Sequence, residues 1–401
     1  MSRPENAADV SVILVGSSPW RPLLTPDDLN LRPALALARR LGGRYDVVVP
    51  QGGAPVGDVD LGAVRLHRVP DRDRLTFLLA ARRAVDRAAA AGPGAAASDG
   101  SNGRRILISS DPLAALAIET SRARSTMPHL VQIQGEVLKP GPEYGGRLKR
   151  ISLGAVARFA VRRANGVRVV SDVLRAAVAG MCDTPVAMIG SRVDTALFAP
   201  TPGALQDRSV AGGGDRPYAI MVGALAARKN HTTVVHAWRA VLDAVPGARL
   251  VILGEGDRRP VLEVLIDRLG LGDDIELAGA VDHPDVVRRL AGARCLLHPS
   301  WSEGQPRAVL EAMASGVPVI CSDIPEHREL VTADVGRLVP TDDPAAWAAA
   351  VIRLLGDPSA GAMGDRARRL VVDRHDYDAS IDRFADFIRQ VAAAPARAPT
   401  R

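Results

Sequence analysis

Along the 401-residue chain, short runs of Val, Ile and Leu alternate with amphipathic stretches almost from end to end. Short apolar runs bounded by turn formers fit strands buried on both faces, and helical stretches between them supply the covering layers. The runs predict strands over residues 10–16, 45–50, 63–69, 105–109, 130–133, 166–170 and 185–189, with helices over 29–41, 75–90, 113–122 and 147–164. The stretch 91–103, rich in Gly, Ala and Ser, reads as a surface loop. Periodicity is lost over 200–217, where Gly, Pro, Asp and Ser accumulate, and this segment reads as a domain linker. Beyond it, strands are expected over 218–223, 249–253, 275–277, 295–298, 317–321 and 337–339, with helices between and after them. The fold class is therefore α/β: two Rossmann-like, doubly wound parallel-sheet domains facing across a cleft. The expected boundaries are an N-terminal domain over 1–199, the linker 200–217, a C-terminal domain over 218–375, and a final helix in 376–401 packing back toward the N-terminal domain.

Composition narrows the classes. With 47% hydrophobic and 24% charged residues the chain is globular. Cys182, Cys295 and Cys321 are odd in number and widely spaced, which fits reduced, buried thiols and a cytoplasmic protein better than a disulfide framework. The first residues, with Glu5 and Asp9 before a short apolar run, are badly formed for a signal peptide, and no window reaches the roughly 18 apolar residues of a membrane span. Thirteen aromatics leave little for nucleic-acid stacking, so no nucleic-acid partner is expected. Between Glu143 and Asp172 seven basic residues occur with no acidic one, on a helical pattern. That face suits peripheral contact with an anionic membrane at its inner surface, or is simply a solvated face.

In open parallel sheets ligands sit beyond the carboxyl ends of the strands, so the loops after strands carry the chemistry. After the strand 218–223, Gly223 permits a sharp turn and the cations Arg228 and Lys229 precede a helix N-terminus, an arrangement that fits a phosphate. After the strand 295–298, the run Ser300-Trp301-Ser302-Glu303-Gly304-Gln305-Pro306 opens a helix, with Pro306 expected in its first turn and Glu311 in its second. Two carboxylates so placed suit the hydroxyl groups of one ligand. Of the histidines, His298 is the better cleft candidate because it ends the strand leading to Glu303, whereas His129 precedes a strand. Asp71 and Asp73 follow a strand without further support, so no metal site is expected.

These motifs resemble the retaining GT-B glycosyltransferases of glycosyltransferase family 4. The resemblance is dense from Tyr218 to Pro344 and rests on Glu303 and Glu311 with seven residues between them, set in Ser302-Glu303-Gly304 and Leu310-Glu311-Ala312-Met313-Ala314-Ser315-Gly316-Val317-Pro318-Val319. It implies a metal-independent enzyme that moves a hexose from a nucleotide diphosphate sugar, UDP-linked rather than GDP-linked on family frequency, to an acceptor hydroxyl with retention by front-face attack. The sugar donor would be a co-substrate, with no further cofactor. The acceptor would be a glycan, a lipid-linked intermediate or a small molecule, bound by the N-terminal domain. By this resemblance Lys229, with Arg228, holds the diphosphate, Glu303 approaches the sugar hydroxyls near Gly304 and Gln305, and Glu311 accepts from the ribose. Gly223, Gly16 and Gln134 complete the donor site. The chain departs from the family at Ala224, where an arginine is usual, and at Gln134, where a histidine is usual. Two alternatives stay open: a catalytically weakened sugar-nucleotide-binding partner protein, or another GT-B enzyme such as a phosphorylase or epimerase.

Overall fold

The structure, a computed structural model, describes residues 9–20, 31–92, 103–135, 137–141, 146–200, 216–303 and 306–397. Most of the expected loop 91–103 and linker 200–217, together with Gly304 and Gln305, lies outside the described residues. The chain divides into two compact units: residues 1–189 with 378–401, and residues 190–377.

The first unit is built on eight strands among the described residues: β1 (Val10–Val15), β2 (Gly42–Pro50), β3 (Gly57–Leu61), β4 (Val64–Val69), β5 (Arg104–Ser109), β6 (His129–Ile133), β7 (Gly166–Val169) and β8 (Val186–Met188). Their order is β3-β4-β2-β1-β5-β6-β7-β8, parallel except for β3. The strand β3 is absent from the sequence expectation because its run Gly-Asp-Val-Asp-Leu carries too few apolar residues to read as buried. It is an edge, paired antiparallel with β4 through a tight turn at Gly62, and an edge strand tolerates such polarity. The helix Tyr377–Ala392 belongs to this unit: Phe387 and Val391 close over Gly166, and Arg168 stacks on Phe384 at 4.6 Å. At that close approach a Cβ on Gly166 would lie 2.4 Å from Val391.

The second unit holds β9 (Tyr218–Val222), β10 (Arg249–Leu253), β11 (Ile275–Gly279), β12 (Cys295–His298), β13 (Val319–Ser322) and β14 (Gly336–Val339). They form one fully parallel sheet in the order β11-β10-β9-β12-β13-β14. Alternation along each strand divides the core in two. Ala219, Met221, Leu250, Ile252, Cys295 and Leu297 pack with Trp238 and Trp347, whereas Ile220, Val251, Leu253, Leu296 and Cys321 pack with Leu310 and Met313. Residues 190–199 cluster with this unit and not, as expected from the sequence, with the N-terminal domain. The reason is packing: Val193 and Phe198 enter the second core, and the Val193 N–H donates to the His375 carbonyl at 3.0 Å.

The three cysteines are free; Cys295 and Cys321 are buried, but Cys182 is only half-buried. Asp71 and Asp73 have structural work, Asp71 accepting from the Gly52 N–H at 3.2 Å and Asp73 capping the helix Arg74–Ala90 through the Thr76 N–H at 2.8 Å. Among the described residues no helix is long and apolar enough to cross a membrane.

Candidate active site

The winding of the second sheet reverses between β9 and β12, so these neighbours send their connections to opposite faces and leave a crevice above their carboxyl ends. The two loops singled out in the sequence leave the sheet there. The first begins at Gly223, whose φ of 150° only glycine adopts readily, and whose carbonyl lies so close to Gly254 that a Cβ there would sit 1.9 Å from it. The chain then makes a short turn at Ala227–Lys229 and enters the helix His231–Ala244 through Asn230 at φ 51°. Asn tolerates this left-handed conformation, and its side-chain amide donates to the Thr341 carbonyl at 3.1 Å. The turn folds the Lys229 stem back over Gly223, with Cε 3.7 Å from where a Cβ would be.

The second loop brings Glu303 to the same place. The Trp301 N–H donates to the Arg228 carbonyl at 2.9 Å and ties the loops together. Lys229 Nζ donates to Glu303 Oε1 at 2.5 Å, Arg228 Nη1 lies 3.3 Å from the same oxygen, and His298 Nε2 lies 3.1 Å from it. Lys229 and Glu303 are largely buried, while the Arg228 side chain is 42% exposed. Burial alone would raise the Glu303 carboxyl, but the hydrogen bond from His298 and the Lys229 ammonium outweigh it and hold it well below the usual carboxylate range. Burial pulls the Lys229 ammonium down, and Glu303 opposes that pull. His298 is depressed by burial and by the Lys229 charge, so it is neutral and Glu303 is ionised.

The other expected site residues are distributed more widely. Glu311 is buried on the helix Arg307–Ala314, its carboxylate 3.8 Å from Arg307, and burial pushes it up to about 7. Pro306 is the residue before that helix, at φ −77° and ψ 102°, and not within its first turn as expected; its extended ψ starts the helix one residue later. Gly16 is buried at the end of β1, and Gln134 is exposed just past β6; both belong to the first unit. Sequence reasoning named Ser300 only as part of the run before Glu303 and passed over Ser322 and His327; all three lie beneath Glu303, Ser322 coming from the end of β13 and His327 from the short helix Pro325–Arg328. Their one sequence signal is position just past strand ends; nothing in the spacing shows that β12 and β13 bring them together.

Residues 206–370 match the family described as Glycosyl transferases group 1. Over 179 residues the chain is 28% identical to the alpha-D-kanosaminyltransferase of Streptomyces kanamyceticus, covering 44% of this chain and 46% of that one. Over 212 residues it is 32% identical to the GDP-mannose-dependent alpha-(1-6)-phosphatidylinositol monomannoside mannosyltransferase of Mycobacterium tuberculosis, covering 50% of this chain and 55% of that one. The chain thus aligns with about half the length of these curated relatives. In fold it is similar to a sucrose-phosphate synthase from Thermosynechococcus elongatus, with a TM-score of 0.78 at 20% identity over 96% of this chain and 99% of that one.

Proposed function

We propose, from the match of residues 206–370 to Glycosyl transferases group 1 and from the likeness in fold of the whole chain to a sucrose-phosphate synthase, that the protein is a retaining hexosyltransferase using a nucleotide diphosphate sugar. One observation carries the reading: two cations and an ionised carboxylate converge at the point where the second sheet reverses its winding. Lys229 and Arg228 take the diphosphate, the first as a compact point charge and the second as a planar fork. Their charge stabilises the leaving group as the bond from its oxygen to the sugar C1 breaks, with no metal required of the protein. The acceptor oxygen bonds C1 on the face the diphosphate leaves, and its proton passes to a leaving phosphate oxygen. Glu303 holds sugar hydroxyls, and Glu311 accepts from the ribose. The test is transfer from UDP- and GDP-linked hexoses over a panel of glycan, lipid-linked and small-molecule acceptors, with product anomers assigned by NMR. Product of retained configuration, formed at an undiminished rate in chelator, is the expected result. Donor binding without turnover on any acceptor overturns it in favour of a binding partner protein.

We further infer that the protein works in the cytoplasm, at an anionic membrane surface. On the helix Arg147–Arg163, Leu148 is 84%, Ile151 56% and Phe159 41% exposed. Spaced by three and eight residues, they form one stripe that also takes in Ala155, with Arg147 on one flank, Lys149 on the other and Arg162 closing its C-terminal end. An exposed apolar stripe bordered by cations suits the headgroup boundary of an anionic bilayer. Phosphatidylglycerol vesicles should sediment the protein, phosphatidylcholine vesicles should not, and Leu148→Ser with Ile151→Ser should abolish the difference; equal sedimentation with both overturns it.

A further inference from the structure

Beneath the Lys229–Glu303 pair lies a layer of buried polar side chains for which diphosphate binding has no use. His298, Ser300, Ser322 and His327 are each 3% exposed or less. His298 Nε2 meets Glu303 Oε1 at 3.1 Å, Ser300 Oγ at 3.2 Å and Lys229 Nζ at 3.5 Å. An ionised carboxylate only accepts, so the 3.1 Å contact requires the proton on Nε2. The ring is fixed from the side by His327, edge to face at 5.3 Å between centroids. His327 is itself locked, its Nδ1 2.7 Å from the Ser322 carbonyl, which makes that nitrogen the protonated one. The Ser322 hydroxyl donates to the Ser300 carbonyl at 2.5 Å and lies 3.4 Å from that of His298, so it clips the turn that carries Glu303 to the end of β13.

All three partners of Glu303 meet at one oxygen, and two of them are the cations assigned to the diphosphate. A bound diphosphate competes for both. Lys229 has a flexible stem and Arg228 is substantially exposed, so both can turn to it, whereas His298 is held by the strand and by His327. We propose that His298 is a positioning residue that keeps the Glu303 carboxylate aimed at the donor sugar after Lys229 and Arg228 have left it. The inference rests on the transferase reading above and adds a residue to it. His298 touches neither donor nor acceptor; it acts through Glu303.

A glutamine can present an N–H near the place of Nε2, whereas an asparagine reaches only to the level of Nδ1, so the pair His298→Gln and His298→Asn separates position from polarity. We expect H298N to lower kcat about 30-fold or more with donor KM changed less than about threefold, and H298Q to stay within about fivefold of wild type, the pattern of an interaction made only in the transition state. Long-range proton–nitrogen spectra of the wild-type histidine rings should show His298 neutral and protonated at Nε2, a reading that requires no variant to fold. H298N with wild-type kcat, a loss expressed wholly in donor KM, or an Nδ1-protonated ring overturns the role. Activity in the wild type together with an unimpaired H298N overturns this inference alone; a wild type that transfers from no donor overturns the transferase reading and this role with it.

Discussion

Each unit buries a carboxylate among cations and histidine, and only one of the two clusters has the form of a site. In the first unit, Glu119 accepts from Arg124 Nε at 2.9 Å and His129 Nδ1 at 2.8 Å on one oxygen, and from Arg163 Nε at 2.9 Å on the other. The Arg124 guanidinium spends its other nitrogens on the carbonyls of Met127 and Arg163, and His129 Nε2 meets the Ser109 hydroxyl at 2.9 Å. Both carboxylate oxygens and all these arms end on protein, and Arg124 and His129 are fully buried. In the second unit the partners of Glu303 crowd one oxygen, the Arg228 side chain is 42% exposed, and the cluster stands in the loops at the strand ends. Burial and ion pairing are therefore common to a structural staple and a candidate active site. What separates them is donor and acceptor capacity left over, in a place a ligand can reach.

The largest effect should come from breaking the closed cluster. Arg124→Leu leaves Glu119 buried beside one cation fewer and should cost about 3–5 kcal/mol, read as a lowered urea midpoint. The pH dependence has a definite sign. Burial opposes ionisation of Glu119, but the His129 hydrogen bond, the Arg124 charge and the Arg163 hydrogen bond hold it at about 2, below its unfolded value, so its contribution is present above about pH 4.5 and lost as pH falls toward 2. Next in size, Glu303→Gln should lower turnover by about 10²–10³ while shifting stability far less than the Arg124 variant does. If E303Q unfolds the protein and R124L does not, the contrast between staple and site is reversed.

Smaller again is the loss expected for Lys229→Ala. Its ammonium is one of two cations near the crevice, and with Arg228 remaining, donor affinity should fall roughly 10–100-fold with cooperative unfolding preserved, by calorimetric titration with the nucleotide diphosphate. Removing Arg228 instead should cost less, because its guanidinium is the more solvated of the two.

Much of this contrast was legible in the sequence on one side only. Gly223, Lys229 and Glu303 stand in loops just after apolar strands, and a doubly wound sheet has to gather such loops at one edge, so residue order alone points to the site. His298 was visible for the same reason. Ser322 and His327 were not, because their role depends on β13 lying beside β12 and on a four-residue helix turning back under it, a register that no local pattern encodes. The Glu119 staple was opaque throughout: Glu119, Arg124, His129 and Arg163 fall on a helix, a turn, a strand and a second helix, and nothing short of the packed fold brings the last three within 3 Å of Glu119. The polar edge strand β3 and the short helix Asp172–Val178 escaped because neither is long or apolar enough to show a period. The domain boundary fell ahead of the linker because Val193 and Phe198 look like any apolar residues until the second core is seen to hold them.

The smallest effect is the most specific, because it separates the two acids of the candidate site. Glu303 is ionised across the physiological range, whereas burial raises Glu311 to about 7 against the opposing charge of Arg307. If the ribose hydroxyls need an ionised acceptor, the competent fraction at Glu311 falls as pH drops, and nucleotide affinity should weaken about tenfold between pH 8 and pH 6. Glu311→Gln should bind more weakly at pH 8 and show no such slope, while E303Q should keep it. Stability runs the other way. The folded chain holds the Glu311 proton up to about pH 7 and the unfolded chain releases it near 4.5, so the folded state binds more protons in that window and stability falls as pH rises through it, by roughly 1.4 kcal/mol per pH unit at most. E311Q should thus unfold at a higher urea concentration than wild type at pH 8 and at a similar one at pH 4. A variant that loses affinity and gains stability at the same pH marks a buried acid kept for a ligand; equal urea midpoints at pH 8 would show that Glu311 is already solvated.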